Sequence, residues 1–194
     1  MGSTFIVVLA LLVVLALWGA AVYNRLRLLR NRVENAWSQI DVQLKRRHDL
    51  IPNLVEVARG YMQHEASTLE AVARARSQAV QASEALRGHT GQAQALGALA
   101  AAEQALGSSL GRLMVVAEAY PELKADAQMQ SLSEEIASTE NRIGFARQAY
   151  NDEVMAFNNK ASQFPDLIWA RLLGFAHMDM LQSTMNEQER QAPS

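Results

Sequence analysis

The chain has 194 residues, a formal net charge of −2, 49% hydrophobic and 6% aromatic residues, and no cysteine. That length leaves room for one ordinary domain with additions and excludes a large multidomain enzyme. The absence of Cys removes disulfides, thiolate metal sites and cysteine nucleophiles, and near neutrality argues against nucleic acid as a partner, because phosphate neutralisation wants a strongly basic surface.

From Phe5 to Val22 eighteen successive residues carry no charge and no hydroxyl. As a helix they extend about 27 Å, enough to cross the hydrocarbon core of a bilayer. Phe5, Leu9, Leu12, Leu15, Trp18 and Val22 mark this stretch, and residues 1–23 are expected to be a transmembrane anchor. A cleaved signal peptide would want a basic start and a shorter apolar run, and the first four residues have no charged side chain. Arg25, Arg27, Arg30 and Arg32 follow with no acid among them. The positive-inside bias then puts the N-terminus outside and the rest of the chain in the cytoplasm, with these four arginines placed to meet lipid head groups.

Beyond the anchor the apolar residues recur at helical spacing. Leu26, Leu29, Val33, Ala36, Trp37, Ile40 and Leu44 share a stripe, and Ile51, Leu54, Val55, Ala58 and Met62 continue its phase. The basic run at 45–48, followed by Asp49 and Pro52, predicts a tight turn there. The unbroken phase offers the alternative of one kinked helix with Pro52 on the solvent face and the carbonyl of His48 freed. A second helix carries Leu69, Val72, Ala73, Val80 and Leu86 and is expected to end at Gly88-His89-Thr90-Gly91. A third aligns Leu96, Leu99, Leu106, Leu110, Leu113, Met114, Ala117 and Tyr120 before Pro121. A fourth aligns Met129, Leu132, Ile136, Ile143, Ala146, Tyr150, Val154, Phe157, Ala161 and Phe164.

No segment alternates as a strand would. The expected fold is all-α: a single N-terminal transmembrane helix followed by an antiparallel up-down-up-down four-helix bundle over residues 24–164. Four helices bring Phe164 back to the membrane side. Residues 165–194 then form an apolar interfacial segment and tail, marked by Leu167, Ile168, Trp169, Leu172, Leu173 and Phe175. This segment is too short to span a bilayer, and it is expected to touch lipid or a neighbouring subunit at the surface, or else to pack on its own bundle.

Chemistry is hard to find. The residues three before each His are Lys45, Tyr61, Leu86 and Gly174, none of them acidic, so no Glu-x-x-His metal motif exists. His64-Glu65 begins like a zinc-protease helix, but Thr68 stands where the second His belongs. No phosphate-binding glycine loop or nucleophile elbow is present. No enzyme activity, cofactor or metal is expected. Arg47, Arg76, Glu103 and Arg147 lie inside the apolar stripes, either snorkelling to the edge or forming interhelical ion pairs such as Arg76 with Glu103.

Three blocks carry a resemblance: residues 23–61, which include RVENAWSQIDVQLKRRHDLIPNLVEVARGY, residues 110–125, LGRLMVVAEAYPELKA, and residues 132–165, LSEEIASTENRIGFARQAYNDEVMAFNNKASQFP. In these the chain resembles the LemA family of bacterial membrane proteins. The resemblance implies a single span, a cytoplasmic helical bundle at the bacterial inner membrane and no known catalytic activity. One branch of that family is associated with magnetosome membranes, and members are often encoded near membrane metalloproteases. After Phe164 the chain departs from the family pattern, with Asp166 following Pro165 and Ala176-His177-Met178 following Phe175. Two functions are expected from this reading. One is a homo-oligomeric scaffold, supported by the many alanines of the second and third helices. The other is an adaptor for a membrane protein partner such as a protease.

Overall fold

A computed structural model describes residues 2–86 and 92–181, and among them every regular element is a helix. The helices are α1 (Gly2–Tyr61), α2 (Ala66–Leu86), α3 (Ala93–Ala117), α4 (Pro121–Ala125), α5 (Ala127–Ser162) and α6 (Asp166–Leu172). The expected chain break at Gly88–Gly91 and the tail beyond Leu181 lie outside the described residues.

The expected turn at Asp49–Pro52 is not there. α1 is one helix of 60 residues, from the apolar stretch through Pro52 to Tyr61. The reason is local. Pro52 removes only the N–H that would bond the carbonyl of His48, and Nε of Arg76 on α2 donates to that carbonyl instead at 2.6 Å. Pro52 itself faces solvent, while Ile51, Leu54, Val55, Ala58 and Met62 stay in the core. With the carbonyl satisfied and the apolar phase intact, nothing forces the chain to turn. The break comes after Tyr61, where Glu65 N–H bonds Met62 O and its own carbonyl accepts from Thr68 and Leu69 to start α2.

Arg76→Met is expected to cost about 1–2 kcal/mol by leaving that part-buried carbonyl unpaired. In a Pro52→Ala background the backbone N–H regained at that position can restore the helical bond, so the same replacement should cost much less. Denaturant unfolding of the four variants measures the difference.

α1 packs most extensively on α5, with α2 against both α1 and α3. Along the α1–α5 seam, Trp37 meets Tyr150, Arg47 approaches Glu140 and Tyr61 bonds Asp126, so numbers rise on one helix as they fall on the other, and Arg46 adds a pair with Glu135. The core divides into two apolar clusters. The one nearer the apolar stretch holds Val22 to Leu44 of α1 with Ile143 to Ala161 of α5, plus Leu86, Leu96 and Leu99. The far one holds Ile51 to Met62 with Leu69, Val72, Leu106 to Leu113, Met129 and Ile136.

On α2 the buried face is Thr68, Leu69, Val72, Ala75, Ala79, Ser83 and Leu86. Ala73 is exposed and Val80 half-buried, contrary to expectation. An alanine-rich helix offers little contrast between faces, and the small residues go inward where helices approach closely.

Asp126 starts α5, its carboxylate accepting from Gln128 N–H at 2.8 Å and Met129 N–H at 2.9 Å. The Tyr61 hydroxyl donates to the same group at 3.0 Å. The Met129 N–H chiefly, then the Tyr61 hydroxyl, hold the carboxyl below its usual range. A depressed folded value means that the cap's stabilisation is complete above the unfolded pKa, about 4, and is lost as pH falls through the folded one. Asp126→Asn should therefore flatten the decline of melting temperature between about pH 4 and pH 2.

Candidate functional site

Between the two apolar clusters lies a polar layer. It replaces one turn of the core stripe on two helices: Arg47 and His48 stand between Leu44 and Ile51 on α1, and Glu103 stands between Leu99 and Leu106 on α3. Arg47 is 5% exposed, His48 4% and Glu103 4%, so all three are charged or polar groups removed from water. His48 Nε2 meets Glu103 Oε1 at 2.7 Å, and Arg47 Nη1 meets Glu103 Oε2 at 3.4 Å. The carboxylate is thereby shared between two successive residues of α1, fixing the rise of α3 against α1 as a buried pair fixes register.

The expected pairing of Arg76 with Glu103 does not form. Arg76 is spent on the His48 carbonyl, and the groups at Glu103 are Arg47 and its neighbour His48. Arg147 of α5 approaches the same layer without joining a hydrogen bond among the described residues. Burial is the largest influence on it, lowering its pKa from the ordinary guanidinium value; Glu103 opposes this, Arg47 adds to it and Glu140 opposes it. His48 is the member that the sequence reading passed over, although its phase places it in the same stripe as Arg47. Nε of Arg47 and Oε1 of Gln43 are buried without a hydrogen-bond partner among the described residues.

The layer is open on one side. A groove of about 970 Å³ runs between α3 and α5, with Arg47, Glu103 and Arg147 in its lining and small residues, Ala100, Gly107 and Gly144, along its walls. Phe145 borders it and is 75% exposed. Among the described residues no group of three His, Asp or Glu side chains converges as a metal site would need.

The second assembly is at the other end. Phe5, Leu9, Leu12 and Leu15 are exposed in the chain by itself, and Trp18 is half-buried and Val22 buried. Arg25, Arg27, Arg30 and Arg32 are all exposed, Arg30 pairing with Glu34 at 3.3 Å. α6 docks against the point where the apolar stretch meets the bundle. The Trp169 ring lies edge-on to Trp18 with centroids 6.3 Å apart. Gly19 makes this approach possible, since a Cβ there would stand 3.0 Å from the Trp169 ring.

After α6 the chain reverses at Gly174, whose φ of +74° is the left-handed conformation that glycine adopts freely. Phe175 then packs on Tyr23 and Phe157. The extended stretch beyond it is clamped to α5 by two asparagines. Asn158 donates to Met178 O at 2.8 Å and accepts from Met178 N–H at 3.0 Å. Asn151 does the same with Leu181, at 3.0 and 2.9 Å. Asp179 accepts from Ala93 N–H at 3.1 Å, supplying the cap that Gln92 does not. Nothing in the sequence singled out these three.

The apolar interfacial segment therefore divides. Trp169, Ala170, Phe175, Met178 and Leu181 join the near cluster, and Leu167 is half-buried. Ile168, Leu172 and Leu173 of this segment remain exposed, as does Phe164 in the turn before α6.

The sequence model of the LemA family matches residues 36–194. The chain belongs to the LemA family. Its relatives include Magnetosome protein MamQ 1 and MamQ 2 of Paramagnetospirillum magneticum, each 26% identical over 175 residues, covering 82% of this chain and 64% of theirs. Magnetosome protein MamQ of Magnetospirillum gryphiswaldense is 26% identical over 157 residues, covering 73% of this chain and 58% of its own. This LemA protein thus spans about three-fifths of the length of those relatives, which, with its one apolar N-terminal helix, fit a membrane-associated helical protein.

Proposed function

We propose that this LemA protein is a non-enzymatic, membrane-anchored scaffold: a single-pass inner-membrane protein with its N-terminus outside, and an antiparallel up-down-up-down bundle of α1, α2, α3 and α5 in the cytoplasm that self-associates. The observation that carries the reading is α1 itself. One helix runs from the exposed apolar stretch into the bundle core without a break, so the bundle stands on its anchor as a fixed post instead of hanging from a linker. The opposed numbering along the α1–α5 seam supports the bundle topology. Exposed Val115 and Phe145, 73% and 75% accessible, support lateral contact between copies.

Mass photometry of the full chain in mild detergent tests self-association. Oligomers that persist on dilution are expected, and a monomer at every concentration overturns the scaffold. A reporter fused after Ser194 tests orientation: cytoplasmic activity is expected, weakened when Arg25, Arg27, Arg30 and Arg32 become Gln. Exposed Phe164, Ile168 and Leu172 support lipid contact by α6 and the turn before it. A chain starting at Asn24 should float with liposomes, and should cease to float when those three become Ser.

A second reading, an adaptor holding a membrane protein partner, is supported by the α3–α5 groove and its small-residue walls. Pull-down from native membranes with the parent and with Gly144→Gln, which fills the groove, separates it from the scaffold. Loss of one partner with the oligomer intact favours the adaptor.

A further inference from the structure

A second cleft, of about 460 Å³, lies between α1 and the C-terminal end of α5, with Arg25, Asn159, Lys160, Ser162 and Gln163 in its lining and Leu29 beneath them. Two features set it apart from an ordinary surface hollow. The first is depth. Arg25 stands three residues past Val22, about 4.5 Å along the helix from the end of the apolar stretch. The head-group zone on each side of a bilayer is about 5–7 Å deep, so the cleft opens at that level. The second is charge. The lining has two cations and no acid, and Arg25 has no hydrogen bond or ion pair among the described residues.

Opposing charge nearby is limited. Lys160 pairs with the Asp166 carboxylate at the start of α6, and the last carbonyls of α5 contribute about half a negative charge. The balance stays positive. Asn159, Ser162 and Gln163 add neutral polar groups around the cations.

We infer that the cleft between Arg25 and Lys160 seats the phosphate of an anionic phospholipid where α1 leaves the bilayer. The inference rests on the membrane-anchored reading. The guanidinium fork meets the phosphate oxygens, and the acyl chains lie along the exposed apolar face of α1. The cleft is then a specific seat, distinct from diffuse attraction to the four arginines together.

The test uses the full chain in bilayer nanodiscs made from phosphatidylcholine with increasing phosphatidylglycerol, one lipid at a time bearing brominated acyl chains. Bromine quenches tryptophan at close range. Trp18 stands two turns of α1 before Arg25, within the apolar stretch, with Trp169 against it, whereas Trp37, in the core fifteen residues beyond Val22, gives a constant background. Quenching by brominated phosphatidylglycerol in excess of its mole fraction is expected. The excess affinity should fall about fivefold in Arg25→Gln and vanish when Lys160→Gln is added.

Arg27→Gln with Arg30→Gln removes two charges outside the cleft and should leave the excess largely in place. Equal loss in both pairs means diffuse attraction and overturns the site. Quenching proportional to mole fraction in the parent overturns it too. If the protein fails to enter nanodiscs at all, the anchor reading falls, a distinguishable result. Inorganic phosphate added to phosphatidylcholine discs should change tryptophan emission no more than chloride at equal ionic strength; a larger, Arg25-dependent change would assign the cleft to free phosphate and overturn the lipid.

Discussion

Replacing Glu103 with leucine should destabilise the protein by about 3–5 kcal/mol, the usual cost of leaving a buried cation without its partner. The cation is Arg47, whose side chain is 6% exposed and whose approach to Glu103 is, among the described residues, its one close pairing with a buried acid; Glu140, 3.8 Å away, is 66% exposed and screened. His48 loses its 2.7 Å contact in the same change. Adding Arg47→Met to Glu103→Leu removes the stranded charge and fills the layer with apolar volume, and the double variant should recover most of the loss. Unfolding in denaturant, with full-length protein in mild detergent, reads both. A double variant no more stable than the single would mean that Arg47 is not the stranded charge.

Phe157→Ala should cost about 3–5 kcal/mol as a large-to-small change in a closed core. Phe157 is 1% exposed and meets Phe175 with ring centroids 6.2 Å apart. Its loss acts twice, since it opens a void in the near cluster and removes the surface on which the C-terminal segment docks. Faster tryptic cleavage at the exposed Arg171 should accompany the fall in stability. Unchanged cleavage would show that the two asparagine clamps hold that segment by themselves.

The stripe from Leu26 to Leu44 and the one from Met129 to Ala161 were legible because large apolar residues repeat at 3.6-residue spacing over many turns. α2 was less so, because Ala73, Ala75 and Ala79 are chemically alike and only their neighbours decide which is covered. The polar layer was half-legible. Arg47 and Glu103 stood out as charges in apolar stripes, but His48 beside a basic run and ahead of a proline resembled a helix end. What kept the helix going is an arginine 24 residues past Pro52 in the chain, and no local pattern records a partner supplied by another helix. Asn151, Asn158 and Asp179 were illegible for a related reason. Each bonds backbone, and any sequence presents backbone.

The uninterrupted α1 makes the protein a lever. From Val22 to Tyr61 the helix extends about 60 Å, at ~1.5 Å per residue. With the apolar stretch embedded as proposed, a tilt of about 20° from the bilayer normal, common for single spans, would carry the far end roughly 20 Å sideways. Bilayer thickness, by setting tilt, would then set how far apart the distal ends of neighbouring copies stand.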